Sequence, residues 1–144
     1  MKVFLIGPVR NVTEEERDRI GNHVKNLESL GHKVHWSIRD VDQVDPIGLR
    51  ICLDNLRGMR ESDEVHVWWN PASQGSIFDL GMALALGKKV VMINTSQFQH
   101  TENKSFTNVL LALQRIDQSV LYDHYPSDMS KDQLQQLLDH INQI

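Results

Sequence analysis

The chain has 144 residues and a mass of 16.6 kDa, which suits one domain with a single core, and 40% of its residues are apolar, as is usual for globular proteins. Its formal net charge of -4 and isoelectric point near 5.9 argue against a nucleic-acid-binding protein or a basic membrane-binding surface. The single cysteine, Cys52, excludes an intramolecular disulfide, and no apolar run approaches the ~20 residues of a membrane span, so we expect a cytoplasmic protein with residues 1–144 as one domain.

The first elements alternate a short apolar run with an amphipathic segment. KVFLIG, residues 2–7, predicts a buried strand. Thr13-x-x-Glu16 is a capping box and predicts the start of a helix that ends at Gly31. HKVHW, residues 32–36, predicts a second and shorter strand.

The middle of the chain continues this alternation. Asp45 and Pro46 predict the N-cap and first turn of a second helix. Its expected apolar stripe comprises Leu49, Cys52, Leu53, Leu56 and Met59. A third strand is expected over residues 64–69, a helix rich in small residues over 76–87, and a fourth strand over 88–94.

The last third of the chain predicts two more helices and one more strand. Four apolar residues at helical spacing mark the first of these helices: Phe106, Val109, Leu110 and Leu113. SVLY, residues 119–122, predicts a short fifth strand. Ser130-x-x-Gln133 predicts the start of a final helix, with Leu134, Leu137, Leu138 and Ile141 facing inward.

Regular alternation of strands and helices predicts a doubly wound parallel sheet of about five strands in a three-layer α/β/α arrangement. The expected strand order is 2-1-3-4-5, as in flavodoxin-like folds, which bind ligands beyond the carboxyl ends of strands 1 and 3. Three loops are expected to meet there: GPVRN (7–11), NPASQGS (70–76) and NTSQ (94–97).

Motifs for common ligands do not occur at these loops. The sequence has no G-x-G-x-x-G for a dinucleotide and no G-x-x-x-x-G-K-[ST] for an NTP-hydrolysing P-loop. The GPVRN loop has no acidic residue to hold a metal ion, and the strand pattern places His32 and His35 on opposite faces. We therefore expect no cofactor and no metal.

Three segments carry a family resemblance: GPVR (7–10), LDNLRGMRESDEV (53–65) and SQGSIFDLGMALALGKKVV (73–91). Together they resemble the nucleoside 2-deoxyribosyltransferase family, and especially its branch that hydrolyses the N-glycosidic bond of deoxynucleoside 5′-monophosphates. The likeness covers most of residues 2–94 and is weak beyond them. It implies cleavage or transfer at the N-glycosidic bond of a (deoxy)nucleoside or its 5′-monophosphate.

The resemblance also implies catalytic residues. In this family a carboxylate in the first turn of the third helix attacks C1′ of the sugar, and Asp79 stands at that position, although the family pattern has Glu. An acidic residue that helps to protonate the leaving base corresponds to Asn55, an amide. Asp54 is adjacent, about 100° round the helix, and is the alternative candidate.

Substrate-binding residues follow from the same resemblance: Gly7, Pro8, Arg10, Ser73, Gly75, Ser76 and Ser105. Ser73 replaces an acid that binds the 5′-hydroxyl in transferases, and a serine accommodates a 5′-phosphate because it does not repel it. Family members complete each pocket with a residue from a neighbouring subunit, which implies a homo-oligomer and assigns that role to Ser105.

Structural roles explain several of these residues equally well. Ser76-x-x-Asp79 fits a capping box that needs no substrate, and Arg10 is by default a solvated loop residue. Trp36, Trp68 and Trp69 suit either stacking on a base or packing in the core. Two functions therefore remain: a glycosidase or transferase that uses Asp79, or a binding module for a nucleotide or sugar phosphate that has lost turnover.

Overall fold

The computed structural model describes residues 1–119 and 130–142 and contains a parallel sheet in the order β2-β1-β3-β4. Its strands are β1 (Lys2–Ile6), β2 (Lys33–Trp36), β3 (Glu64–Val67) and β4 (Lys89–Met92). Every neighbouring pair is parallel, which confirms the predicted sheet and the order of its first four strands. The described sheet has four strands rather than five; the fifth, predicted over residues 119–122, falls outside the described residues except for Ser119.

Six α-helices are described: α1 (Glu14–Ser29), α2 (Ser37–Asp40), α3 (Leu49–Glu61), α4 (Gln74–Ala85), α5 (Phe106–Leu113) and α6 (Lys131–Asn142). The capping box at α1 is confirmed, because Glu16 N donates to Thr13 Oγ1 and Thr13 N donates to a Glu16 carboxylate oxygen, each at 3.1 Å. Helix α1 ends before Gly31, whose φ of 83° suits glycine. The inward-facing side chains predicted for α6 lie outside the described residues.

The helices cover both faces of the sheet, as predicted. On one face, α1 packs against Val3, Leu5 and Val34. On the other, α3, α4 and α5 bury a larger cluster around Phe4 and Val67. Strand alternation sends Phe4 and Leu5 to opposite faces, which is why the two clusters share one sheet. No helix among the described residues has both the length and the apolar character needed to cross a bilayer.

Helix α3 begins three residues later than Pro46 predicts. Its N-cap is Gly48, at φ 82°, rather than Asp45. The Asp45 carboxylate nevertheless accepts hydrogen bonds from the amides of Arg50 at 2.9 Å and Ile51 at 3.2 Å, so it satisfies first-turn donors from outside the helix.

The expected apolar stripe on α3 is also partly wrong. Leu49 and Leu53 are 61% and 51% exposed, whereas Asn55 is buried together with Met59. The helix is therefore turned so that an amide, rather than a second leucine row, faces the interior.

Candidate active site

A cavity of about 620 Å³ opens at the carboxyl ends of β1 and β3, where the strand order predicts a ligand. The β1–α1 loop, the end of β2 with α2, helix α3 and the start of α4 form its walls. Seven of the predicted site residues line it: Gly7, Arg10, Asn55, Ser73, Gly75, Ser76 and Asp79, the predicted nucleophile. The NTSQ loop (94–97), which was expected there, does not line it.

The NTSQ loop (94–97) instead contacts the chain just after β3. Asn94 accepts a hydrogen bond from Trp69 N at 2.8 Å and donates one to Trp69 O at 2.9 Å. The fourth-strand loop thus braces the chain just after β3, and residues of β2 and α2 take its expected place in the cavity wall.

The β1–α1 loop brings a positive charge to the cavity. Arg10 is exposed and has no hydrogen-bond or ion-pair partner within residues 1–119 and 130–142. Asn11 beside it adopts a left-handed backbone with φ 56°, which turns the chain toward α1. Pro8 belongs to the loop but is not among the residues that line the cavity. The guanidinium of Arg10 is therefore available to an anionic ligand.

The start of α4 differs from the capping box expected at Ser76 and Asp79. Helix α4 begins at Gln74, and Ser73 is its N-cap, with Oγ accepting from Ser76 N at 3.3 Å. The Ser76 hydroxyl also donates to Ser73 Oγ at 2.9 Å. Counting from Gln74, Asp79 is the sixth residue of the helix, in its second turn, and it caps nothing. The prediction that Asp79 forms a capping box with Ser76 is therefore wrong.

Asp79, which is half-buried, instead ends a chain of polar side chains whose other two members are buried. The Ser37 hydroxyl donates to Asn55 Oδ1 at 2.9 Å, and Asn55 Nδ2 donates to Asp79 Oδ2 at 3.1 Å. Ser37 and Asn55 are only 8% and 6% exposed. This arrangement places Asn55, rather than Asp54, beside the carboxylate.

Burial sets the charge state of this carboxylate. It raises the pKa of Asp79 to about 6, and the hydrogen bond from Asn55 opposes the rise only in part. Asp79 lies in the second turn of α4, beyond the strongest part of the helix dipole, so the N-terminus of that helix does not offset the effect of burial. Asp79 is thus ionised at neutral pH and titrates just below it.

Two predicted site residues are not brought to this cavity. The Asp54 carboxylate lies 3.5 Å from Arg50 and 3.4 Å from Arg57 in partly exposed ion pairs. Ser105 is the N-cap of α5, and its Oγ accepts from Asn108 N at 3.1 Å. A role of Ser105 in a pocket therefore requires a neighbouring copy of the chain.

Sequence reasoning missed Ser37 and Phe78, which both line the cavity. Phe78 is 60% exposed at its rim. Of the three tryptophans, only Trp36 lines the cavity; Trp68 and Trp69 are buried in the two core clusters, as the packing alternative predicts. An exposed phenylalanine points to a ligand site only when it is known which face of its helix is exposed. The sequence does not show this, so it could not single out Phe78.

A second polar cluster, partly buried, lies on the opposite face of the sheet. His66 donates to or accepts from His23 at 2.9 Å and lies 3.0 Å from Glu64, whose other oxygen is 3.2 Å from Lys89 Nζ. Burial alone would raise the pKa of Glu64, but the bonds from His66 and Lys89 outweigh it and hold that pKa below its ordinary value. Burial and the adjacent His66 lower the pKa of His23.

Comparison with known proteins identifies the fold. No protein-family model and no curated protein matches the chain. A solved structure of the CMP N-glycosidase BcmB of Clostridium botulinum is 25% identical, covering 64% of this chain and 70% of that one, with a TM-score of 0.52. A 2-deoxyribosyltransferase of Bacillus psychrosaccharolyticus is 20% identical over 84% of this chain and 96% of that one, with a TM-score of 0.55, and shares the fold. These likenesses confirm the resemblance to the nucleoside 2-deoxyribosyltransferase family, while the branch stays a prediction.

Proposed function

We propose that this protein cleaves or transfers the N-glycosidic bond of a (deoxy)nucleoside or its 5′-monophosphate, with Asp79 as the nucleophile. The observation that carries this proposal is a half-buried carboxylate that faces a cavity of about 620 Å³ and whose one hydrogen-bond partner among the described residues is a neutral amide. A buried carboxyl group without a cation destabilises the fold, and such groups concentrate at functional sites.

The chemistry suits Asp79. Its carboxylate oxygen attacks C1′ and forms a C–O bond as the C1′–N bond breaks, so the base leaves with the bonding electrons and takes up a proton. Water then attacks C1′ for hydrolysis, or a second base does so for transfer, and the carboxylate is released. Since burial raises the pKa of Asp79 to about 6, the group is ionised at neutral pH yet weakly solvated, which favours attack.

We infer that the substrate carries a 5′-monophosphate, and the groups that line the cavity support this inference. Arg10 supplies a positive charge, and Ser73 supplies a hydroxyl where an acid would repel phosphate. The first-turn amides of α4, whose residues line the cavity, add partial positive charge. Trp36 and Phe78 offer aromatic surface for the base. Gly7, Pro8, Gly75 and Ser76 stay proposed substrate-binding residues, although Pro8 does not line the cavity.

A non-catalytic nucleotide-binding module is the second candidate. Asn55 favours it, because a buried amide donates a hydrogen bond to Asp79 but does not give up a proton to a leaving base. Losing a general acid typically slows a reaction by ~10² to 10⁴. Under this alternative the same cavity holds nucleotide or sugar phosphate without turnover.

Product analysis separates the two candidates. The protein is incubated with deoxynucleosides, ribonucleosides and their 5′-monophosphates, and free base is measured by chromatography, with Asp79→Ala as the control. The proposed enzyme releases base from at least one compound, and the control does not. Binding by calorimetry with no base released from any compound supports the binding module instead.

A homo-oligomer belongs to the same proposal. The segment 94–105 is long for a connection between a strand and a helix. Phe98 packs against the core and is not free for a partner, whereas Phe106 is 55% exposed beside Ser105. Light scattering is expected to give a mass of at least two chains, and a monomer at micromolar concentration would remove the role of Ser105.

A further inference from the structure

Three helices contribute one polar side chain each to the chain that ends at Asp79. Ser37 is the first residue of α2, Asn55 lies in the middle of α3 and Asp79 lies in the second turn of α4. The two hydrogen bonds measure 2.9 and 3.1 Å, and the first joins two buried groups. The contact therefore ties α2 to the carboxylate although Ser37 does not touch it.

The chemistry of the groups fixes the direction of this chain. An ionised carboxylate only accepts, so Asn55 must turn Nδ2 toward Asp79. Oδ1 of the same amide then points away from Asp79, and Ser37 must donate to it. With both ends of the amide bound, its plane is held with the N–H aimed at Asp79 Oδ2. Donation to Oδ1 also polarises the amide and strengthens its N–H as a donor.

A neighbouring serine shows what a purely local role looks like. Ser62 follows α3, is 5% exposed, and donates to the backbone oxygen of Gly58 at 2.7 Å. That bond closes a turn of its own helix and reaches no titratable group. The Ser37 bond instead crosses to a side chain of another helix, and that side chain holds the cavity carboxylate.

We propose that Ser37 is a positioning residue: its hydroxyl holds the Asn55 amide in the orientation that stabilises the ionised carboxylate of Asp79. The significance for catalysis rests on the function proposed above, but the hydrogen-bond chain does not. Ser37 thereby sets the pH range over which the cavity contains an ionised nucleophile.

The test is a pH titration of the Asp79 carboxyl group by carbon-13 NMR in the full chain without substrate, assigned with Asp79→Asn. Ser37→Ala is expected to raise the pKa of Asp79 by roughly half a unit to one unit, because the ionised form loses part of the stabilisation that the hydrogen bond from Asn55 provides. Ser37→Thr keeps the hydroxyl and is expected to restore the wild-type value. Ser62→Ala, the matched deletion, should leave it unchanged.

A folded Ser37→Ala protein with an unchanged pKa of Asp79 would overturn the proposal, and so would an equal shift in Ser62→Ala. If Ser37→Ala does not fold, Ser37→Cys keeps the volume with a weaker donor and is expected to shift the pKa upward by less; no shift overturns the proposal. Because no substrate is present, a protein that shows these shifts but releases no base refutes the proposed function and leaves the role of Ser37 intact.

Discussion

Glu64 and Asp79 are two half-buried carboxylates on opposite faces of one sheet, and they differ in their partners. Glu64 lies between His66 and Lys89, which hold its pKa below the ordinary value. Among the described residues Asp79 has only the Asn55 amide as a partner, and burial raises its pKa to about 6. The paired group stabilises the fold, whereas the group without a cation faces a cavity. The difference in partners, rather than burial itself, is the reason for proposing Asp79 as the functional carboxylate.

The largest expected effect comes from removing each carboxylate in turn. Asp79→Ala should lower base release by ~10⁴-fold or more, because it removes the group that bonds to C1′. It should leave nucleotide affinity within a few-fold, since Arg10 and Ser73 remain. Glu64→Ala should lower stability and leave the rate of the folded enzyme within a few-fold. Both predictions are checked by measuring the rate of base release per mole of folded protein. Equal loss of activity in the two variants would contradict the difference in role between Glu64 and Asp79.

Restoring the family's acids tests how far the amide partner limits turnover. Asn55→Asp places a second carboxyl group about 3 Å from Asp79, so the pair shares a proton that a leaving base can take. Asp79→Glu extends the nucleophile by one methylene toward the cavity. The double variant is expected to release base ~10²-fold faster than wild type, and its gain should exceed the sum of the single effects in free energy. A double variant that folds and binds nucleotide without any release favours the binding module.

The cationic side chains near the two carboxylates also differ. Lys89 neutralises Glu64, whereas Arg10 has no partner in the described part of the chain and remains for the ligand. Arg10→Ala should weaken 5′-monophosphate binding by ~1.5 to 3 kcal/mol, or roughly 10- to 150-fold, and barely change nucleoside binding. Arg17→Ala, on the exposed surface of α1, is the control. If calorimetry gives equal affinity for nucleotide and nucleoside in the wild-type protein, the proposal that Arg10 binds a 5′-phosphate is wrong.

The smallest effects are on stability, and they should have opposite signs. The pKa of Asp79 is raised in the fold from 3.8 to about 6, so its ionisation lowers stability as pH rises through that window. Asp79→Asn should therefore stabilise the protein by ~1 to 3 kcal/mol at pH 8 and give no gain below pH 4.

Glu64→Gln removes the same charge from the paired site. The pKa of Glu64 is lowered below 4.5, so its contribution is present above that pH and is lost as the pH falls. The variant should lose ~1 to 2 kcal/mol at pH 8. Urea unfolding of both variants at pH 8 and pH 4 measures these changes in stability. Destabilisation by Asp79→Asn at both pH values would contradict the statement that burial of the ionised Asp79 carboxylate lowers stability.

Much of the fold could be predicted because its signals are local. Alternating apolar runs gave the four described strands, and the Thr13-x-x-Glu16 box gave the start of α1. Helix α2 was missed because its four residues carry no periodic pattern. The start of α3 was misplaced because Asp45 caps that helix from outside, a contact that depends on the path of the intervening loop.

The site was predicted less completely because it depends on contacts between distant elements. Ser73 and Ser76 both suit an N-cap, and only the backbone shows that Ser73 is the one used. The resemblance pointed to Asn55 with Asp54 as the alternative, and only the rotation of α3 in the fold shows that Asn55 lies beside Asp79. Ser37 carried no sequence signal, since its role exists only through Asn55.

The most direct test of Asp79 as the nucleophile is to trap its covalent intermediate. A 2′-fluoro-substituted nucleoside 5′-monophosphate that slows both steps is incubated with the protein, and intact mass and peptide mapping are measured. The account predicts a mass increase equal to the fluorinated sugar phosphate, located on Asp79, absent from Asp79→Ala and present in Glu64→Gln. Release of base with no adduct, or an adduct on another residue, would contradict it.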